Sequence, residues 1–311
     1  MINKLFALLF FLLCIISSNA QSPQILYGNL IGTGFVGYDN DTPIFYKTAD
    51  EYGLYQPVRF GTDSLSIKRV RESKLPVWNN EIRLLWVNND MEIYTKRQPT
   101  SNDSNRDFII VSNDGIDTVY IELNAYYQHN YEPFALTNDR KTLFAVQPGA
   151  YQDDLLGWYY DNIIKIDLTK KPLAAEKLSI TGTELQLVNN FLFYKGGKDK
   201  LQNAILRVEV GNWEKIDTLT MHSYFWFVFD DTLFTEIGGY TNKDAWFGGN
   251  RYIAYSITER ASAIVSKEPP SASDRHPILF EGEFYNISRG GLYKINIPKV
   301  TEFPYRQTLP R

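Results

Sequence analysis

Of the 311 residues, only one is cysteine, three are methionine and three are histidine. The single cysteine, Cys14, falls in the first twenty positions, so residues 21–311 hold no disulfide, no cysteine nucleophile and no thiolate metal site. A basic excess is missing too. Lys and Arg number 32 against 36 Asp and Glu, a formal net charge of −4, which lacks the electrostatic footprint of a nucleic-acid partner. After the first twenty residues no apolar run approaches the length of a membrane span, and no stretch sustains a 3.6-residue period. No Gly-x-Ser-x-Gly elbow, His-Glu-x-x-His pair or glycine-rich phosphate loop is present, so no cofactor is expected and the sequence leans away from an enzyme.

The beginning of the chain reads as an address. Lys4 precedes an apolar run from Leu5 to Ile16, followed by Ser17-Ser18-Asn19-Ala20. A short basic start, an apolar run too short to span a bilayer and a small-x-small end predict a signal peptide over 1–20, cleaved after Ala20. The expected location is secreted or periplasmic. Lipid attachment at Cys14 is disfavoured because Leu12 and Leu13 before it are bulky. A chain exported without disulfides rests on its apolar core, and 44% hydrophobic with 15% aromatic residues supply one.

What the sequence has in abundance is one repeated phrase: an apolar strand, a tight polar turn and a second strand. Its copies are centred on Asn40-Asp41, Asn89-Asp90, Asn138-Asp139, Asn189-Asn190, Asp230-Asp231 and Glu281-Gly282. The aromatics closing the phrases, Phe45, Tyr94, Phe144, Phe193, Phe234 and Tyr285, recur about every 50 residues apart from one shorter interval, the spacing of a propeller array. A second hairpin follows most phrases. Leu54 to Phe60 with Ser64 to Val70 is one, and Asp107 to Val111 with Thr118 to Leu123 another. Ala204 to Val210 with Trp213 to Leu219 and Tyr252 to Ile257 with Ala261 to Lys267 continue the series.

These signals predict an all-β fold: a single six-bladed β-propeller of four-stranded antiparallel blades occupying residues 21–311. Residues 24–30 are expected to pair with the last repeat and close the ring; the alternative is a closing strand from Thr301 to Tyr305. The first strand of each repeat should be buried on both faces, as the unbroken run Phe225-Trp226-Phe227-Val228-Phe229 suggests. Trp86, Trp226 and Phe229 are accordingly expected to be packing residues.

In such a ring the connections between repeats and those inside each repeat between strands two and three share one face. They are aromatic and polar here. The expected ligand-binding residues on that face are Trp78, Tyr127, His129, Tyr151, Trp158, His222, Tyr240, Trp246 and His276. Aromatic faces between glycines, as in Gly238 to Gly249, suit stacking on a sugar or on a peptide side chain. A noncatalytic module for a glycan, peptide or protein partner is therefore expected. The alternatives are a carbohydrate-active hydrolase or lyase using Asp153, Asp154, Asp244 or His222, and an assembly scaffold.

One motif carries a weak resemblance. Ser112-Asn113-Asp114-Gly115-Ile116-Asp117-Thr118-Val119 resembles the Asp-box of sialidase-type propellers. It keeps the serine, the first aspartate and the threonine but has Ile116 for the glycine and Val119 for the tryptophan. The box is a turn element, and the resemblance implies no catalytic residue.

Overall fold

A computed structural model describes residues 25–28, 32–60, 64–97, 106–112, 115–119, 134–147, 162–196, 204–220, 223–237, 251–266, 277–288, 291–295 and 305–306. The signal peptide expected over 1–20 lies outside them. Every regular element among the described residues is a β-strand, and there are 24. Val, Ile, Tyr, Phe and Thr fill these strands, residues whose branched or aromatic side chains fit a pleated, half-buried surface.

The chain enters on β1 (Ile25–Gly28). Strands β2 (Thr33–Asp39), β3 (Thr42–Lys47), β4 (Gly53–Phe60) and β5 (Ser64–Glu72) then form an antiparallel meander. A second meander follows in β6 (Ile82–Asn88), β7 (Met91–Arg97), β8 (Arg106–Ser112) and β9 (Gly115–Val119). The two merge into one eight-stranded sheet because β2 and β6 pair in parallel, Gly37 opposite Val87 and Tyr38 opposite Asn88. That approach is close. A Cβ on Gly37, whose φ is +137°, would lie 2.0 Å from the Val87 carbonyl oxygen, so only glycine fits.

The next sheet has seven strands: β10 (Phe134–Leu136), β11 (Thr142–Gln147), β12 (Asn162–Asp167), β13 (Ala175–Val188), β14 (Phe191–Gly196), β15 (Ile205–Glu209) and β16 (Ile216–Thr220). Its seventh strand would be an eighth but for β13, which is 14 residues long. The first half of β13 pairs with β12 and the second half with β14, so one strand ends one repeat and begins the next.

Strands β17 (Ser223–Phe229), β18 (Thr232–Ile237), β19 (Arg251–Ser256) and β20 (Ala261–Ser266) make a further meander. The last is β21 (Ile278–Phe280), β22 (Glu283–Ser288) and β23 (Gly291–Ile295), and its fourth strand is β1, with Tyr27 opposite Leu292. The segment expected to join the two ends of the chain does so. The rival closing strand goes elsewhere: β24 (Tyr305–Arg306) lies on β20, with Ala261 opposite Arg306.

The repeated phrase is the first hairpin of each meander. Five of its six turns have two residues between paired positions, and the first of the two is left-handed: Asn40, Asn89, Asn189, Asp230 and Glu281 have φ between 46° and 55°. Such turns match the twist of antiparallel strands, and Asn and Asp tolerate positive φ better than other side chains. The phrase at Asn138-Asp139 has a longer loop, with Arg140 at φ 58°. In the second hairpins β9 starts at Gly115, three residues before the expected Thr118, because Ser112 pairs with Gly115. Likewise β16 starts at Ile216 instead of Trp213.

Five apolar clusters hold the meanders together, and each spans two of them. Val36 and Ile44 pack with Leu84 and Val87; Ile93 and Ile110 with Leu143 and Ile164; Phe144 and Ile163 with Leu192 and Leu206. Phe193 and Ile205 pack with Trp226 and Leu233. The fifth joins opposite ends of the sequence, Phe45 and Leu65 with Ile278 and Tyr285. Arg59 reinforces that junction with ion pairs to Glu281 and, at 2.9 Å, to Glu283.

Candidate functional site

Of the nine residues expected to bind ligand, Trp78 is the one within the described residues. Tyr127, His129, Tyr151, Trp158, His222, Tyr240, Trp246 and His276 lie outside them, as do Asp153, Asp154 and Asp244. Among the described residues no group of three or more His, Cys, Asp or Glu comes together to hold a metal ion.

Trp78 is built into place by the connection between β5 and β6. The amide of Lys74 donates to the Glu92 carboxylate at 2.8 Å, and the amide of Leu75 donates to the Tyr94 hydroxyl at 3.1 Å. Glu92 is fully buried and also receives the Arg71 guanidinium and the Tyr94 hydroxyl, so its charge is matched where water is excluded. Burial, with the Glu92 charge beside it, pushes the Tyr94 hydroxyl well above its usual pKa. The connection then bonds at both ends, Val77 to the Glu51 carbonyl and Leu84 to the Val77 carbonyl, and Trp78 bridges to Arg83.

The Trp78 ring is 39% exposed. Tyr46 lies parallel to it at 6.4 Å, and the Arg83 guanidinium stands 4.5 Å over it. Tyr46 itself reaches across Gly34, its partner in the β2–β3 pairing, where a Cβ would meet the ring at 2.4 Å. Trp78 is thus an exposed indole with one face committed to Arg83. Nearby, Asp50 accepts from the Tyr55 hydroxyl at 2.7 Å and from Arg69 at 2.9 Å, which holds its carboxyl below the usual range.

At the other end of the β2–β3 hairpin, near the Asn40-Asp41 turn, a cavity of about 460 Å³ opens. No local pattern in the sequence marks it, since its walls come from strands far apart in the chain. β2 supplies Tyr38, β13 supplies Gln186 and Leu187, β17 supplies Phe227 to Phe229, and the last meander supplies Leu279 and Phe284. Phe227 and Phe229 both meet Phe284, with ring centroids 5.5 and 5.1 Å apart. Phe229, expected to be core, is instead 37% exposed, whereas Trp226 beside it is fully buried.

Hydrogen bonds between neighbouring strands fix the cavity wall. Gln186 Nε2 donates to the Val228 carbonyl at 2.7 Å, and the Val228 amide donates back to Gln186 Oε1 at 2.8 Å. The Leu279 amide donates to the Tyr38 hydroxyl at 3.0 Å. Turns are tied in the same way: the Asn40 amide donates to Asn89 Oδ1 at 2.7 Å, and Arg140 donates to Asp90. Four first strands also carry a register shift before their turns, between Phe35 and Gly37, Leu84 and Trp86, Thr183 and Gln186, and Ser223 and Trp226. Such bulges redirect side chains, and in β2, β13 and β17 they precede residues that line the cavity.

No family model matches the chain, and no curated protein matches it. Among solved structures, that of the tricorn protease is similar over 91% of this chain and 36% of that one, at 9% identity and a TM-score of 0.45. The chain therefore spans about a third of that protease. The structure of YjhT is similar over 88% of this chain and 94% of that one, at 7% identity and a TM-score of 0.45. The β-propeller domain of the Trilobed protease from Pyrococcus furiosus is similar over 89% of this chain and 82% of that one, at 10% identity and a TM-score of 0.44.

Proposed function

We infer that the chain is a six-bladed β-propeller, exported to the periplasm or the cell exterior, that recognises a glycan or peptide and does no chemistry on it. The strand pairings support the ring: six runs of four antiparallel strands can be marked off if β13 is divided between two runs and β1 completes the last. The cavity supports it too, because strands from the first, fourth, fifth and sixth repeats border one space. Contacts between Arg59 and Glu283 join first repeat to last.

The observation that carries recognition is Trp78. Its indole is exposed yet held by Tyr46 and Arg83, so little side-chain freedom is lost when a ligand arrives. The loops that the repeat pattern assigns to the same face carry Tyr127, Tyr151, Trp158, Tyr240 and Trp246 in sequence. Calorimetric titration of residues 21–311 with oligosaccharide and peptide panels tests the assignment. Binding by one class, weakened about tenfold or more in Trp78→Ala and Trp246→Ala, is expected. Turnover of an oligosaccharide by the wild-type chain would replace this assignment with a hydrolase or lyase.

A further inference from the structure

A second site, independent of the loop face, lies in the cavity at the turn end. Its walls carry four aromatic side chains, Tyr38, Phe227, Phe229 and Phe284, and the aliphatic Leu187, Val228, Pro277 and Leu279. At about 460 Å³ it has the size of a small-molecule pocket. Its lining also includes one carboxylate, Asp41. Neither Asp41 nor Asp230, which follows Phe229, forms an ion pair among the described residues, whereas Arg59 is taken by Glu281 and Glu283, and Arg71 by Glu92 with Asp39 3.9 Å away. The turns that follow the lining strands β2 and β17, Asn40-Asp41 and Asp230-Asp231, contain three aspartates and no Lys or Arg, and of the three Asp231 accepts from Ser256 and Thr258. Anionic rim and aromatic wall together complement one kind of ligand.

We propose that this cavity binds a small organic cation, an alkylammonium whose apolar body rests on Phe227, Phe229 and Phe284 and whose charge faces Asp41. Ring faces carry the negative part of the aromatic quadrupole, so a desolvated ammonium is attracted to them while a neutral alkyl group of the same shape is not. A quaternary ammonium suits the wall best. It needs no hydrogen-bond acceptor, and the polar atoms of Gln186 are already committed to the Val228 backbone. A sugar would find few acceptors and donors here, and an anion would face the Asp41 carboxylate.

The test compares choline with 3,3-dimethylbutan-1-ol, its uncharged isostere, by titration calorimetry at low salt on the full chain from residue 21. Choline is expected to bind at least about tenfold more tightly than the alcohol. Phe229→Ala should weaken choline binding by about tenfold and Asp41→Asn severalfold. Asp41 is exposed, so Asp41→Asn should melt at the wild-type temperature, while Phe229→Ala gives up its contact with Phe284 and should remain folded with a somewhat lower melting temperature. Equal binding of choline and the alcohol would overturn the proposal, since the charge would then go unread. So would choline titrations unchanged in both variants, or no choline binding by the wild-type chain.

Discussion

The indole N–H of Trp226 donates to the Glu184 carboxylate at 2.7 Å across the junction between β13 and β17, and both side chains are buried. Lys195 closes the group from the other side, 3.1 Å from Glu184. Glu184 reaches this position because it sits in the β13 bulge with φ at 55°, a conformation that turns its side chain out of the regular alternation. A charge buried at a junction of repeats is stable only while both partners remain.

The losses on removing the two partners should therefore not add. Trp226→Phe keeps an aromatic ring but shrinks it and leaves a buried carboxylate oxygen without its donor, a loss of at least about 1–3 kcal/mol in chemical denaturation. In the double variant Trp226→Phe/Glu184→Gln the loss should be smaller than the sum of the two single losses. Additive losses would mean that the two side chains do not interact.

Acid should weaken the junction between the first and last repeats. Lys294, then Arg59 and the Tyr285 hydroxyl, hold the Glu283 carboxyl down from its usual 4.5 to about 2. Burial, followed by the Glu283 carboxylate, pushes the Tyr285 hydroxyl up to about 12. A carboxyl that resists protonation more in the folded than in the unfolded chain adds stability above about pH 4.5, and this stability fades as pH falls toward about 2. The wild-type melting temperature should fall more steeply across that window than that of Glu283→Gln. Parallel curves would remove Glu283 from the account.

The contact between β2 and β6 should tolerate no side chain at position 37. Gly37→Ala places a Cβ against the Val87 carbonyl and forces a left-handed backbone on alanine, so a loss on the order of 1–3 kcal/mol or more is expected. Gly115 also has positive φ, at 133°, but no atom lies within 4 Å of its Cβ position. Gly115→Ala should cost less, and equal costs would show that the close approach to Val87 is not what position 37 requires.

The hairpins were legible because their cause is local. Asn, Asp and Gly at positions such as Asn89, Asp230 and Gly282 announce turns that need positive φ, and the apolar phrases around them announce strands. Nothing local distinguishes a strand that ends from one that continues into the next repeat, so four separate strands were expected in each repeat where β13 serves two. An unbroken apolar run such as Phe225 to Phe229 hides its bulge, because alternation is the signal that a bulge would disturb. The docking of Tyr305–Arg306 on β20 and the walls of the cavity are long-range facts without a local mark. On the loop face, Trp78 was legible as an exposed aromatic, but the Arg83 guanidinium over its ring was not.

The ring is tested most directly by a cross-link between its ends. Residues 21–311 contain no cysteine, so Tyr27→Cys with Leu292→Cys introduces a single pair at opposed positions of β1 and β23. Under mild oxidation the pair should close to an intramolecular disulfide in the folded chain, detected by its mass and its mobility shift. A melting temperature above that of the reduced form is expected, since the bond would constrain a long loop of the unfolded chain. A folded chain whose two thiols stay reduced and freely alkylated would contradict a propeller closed by its first strand.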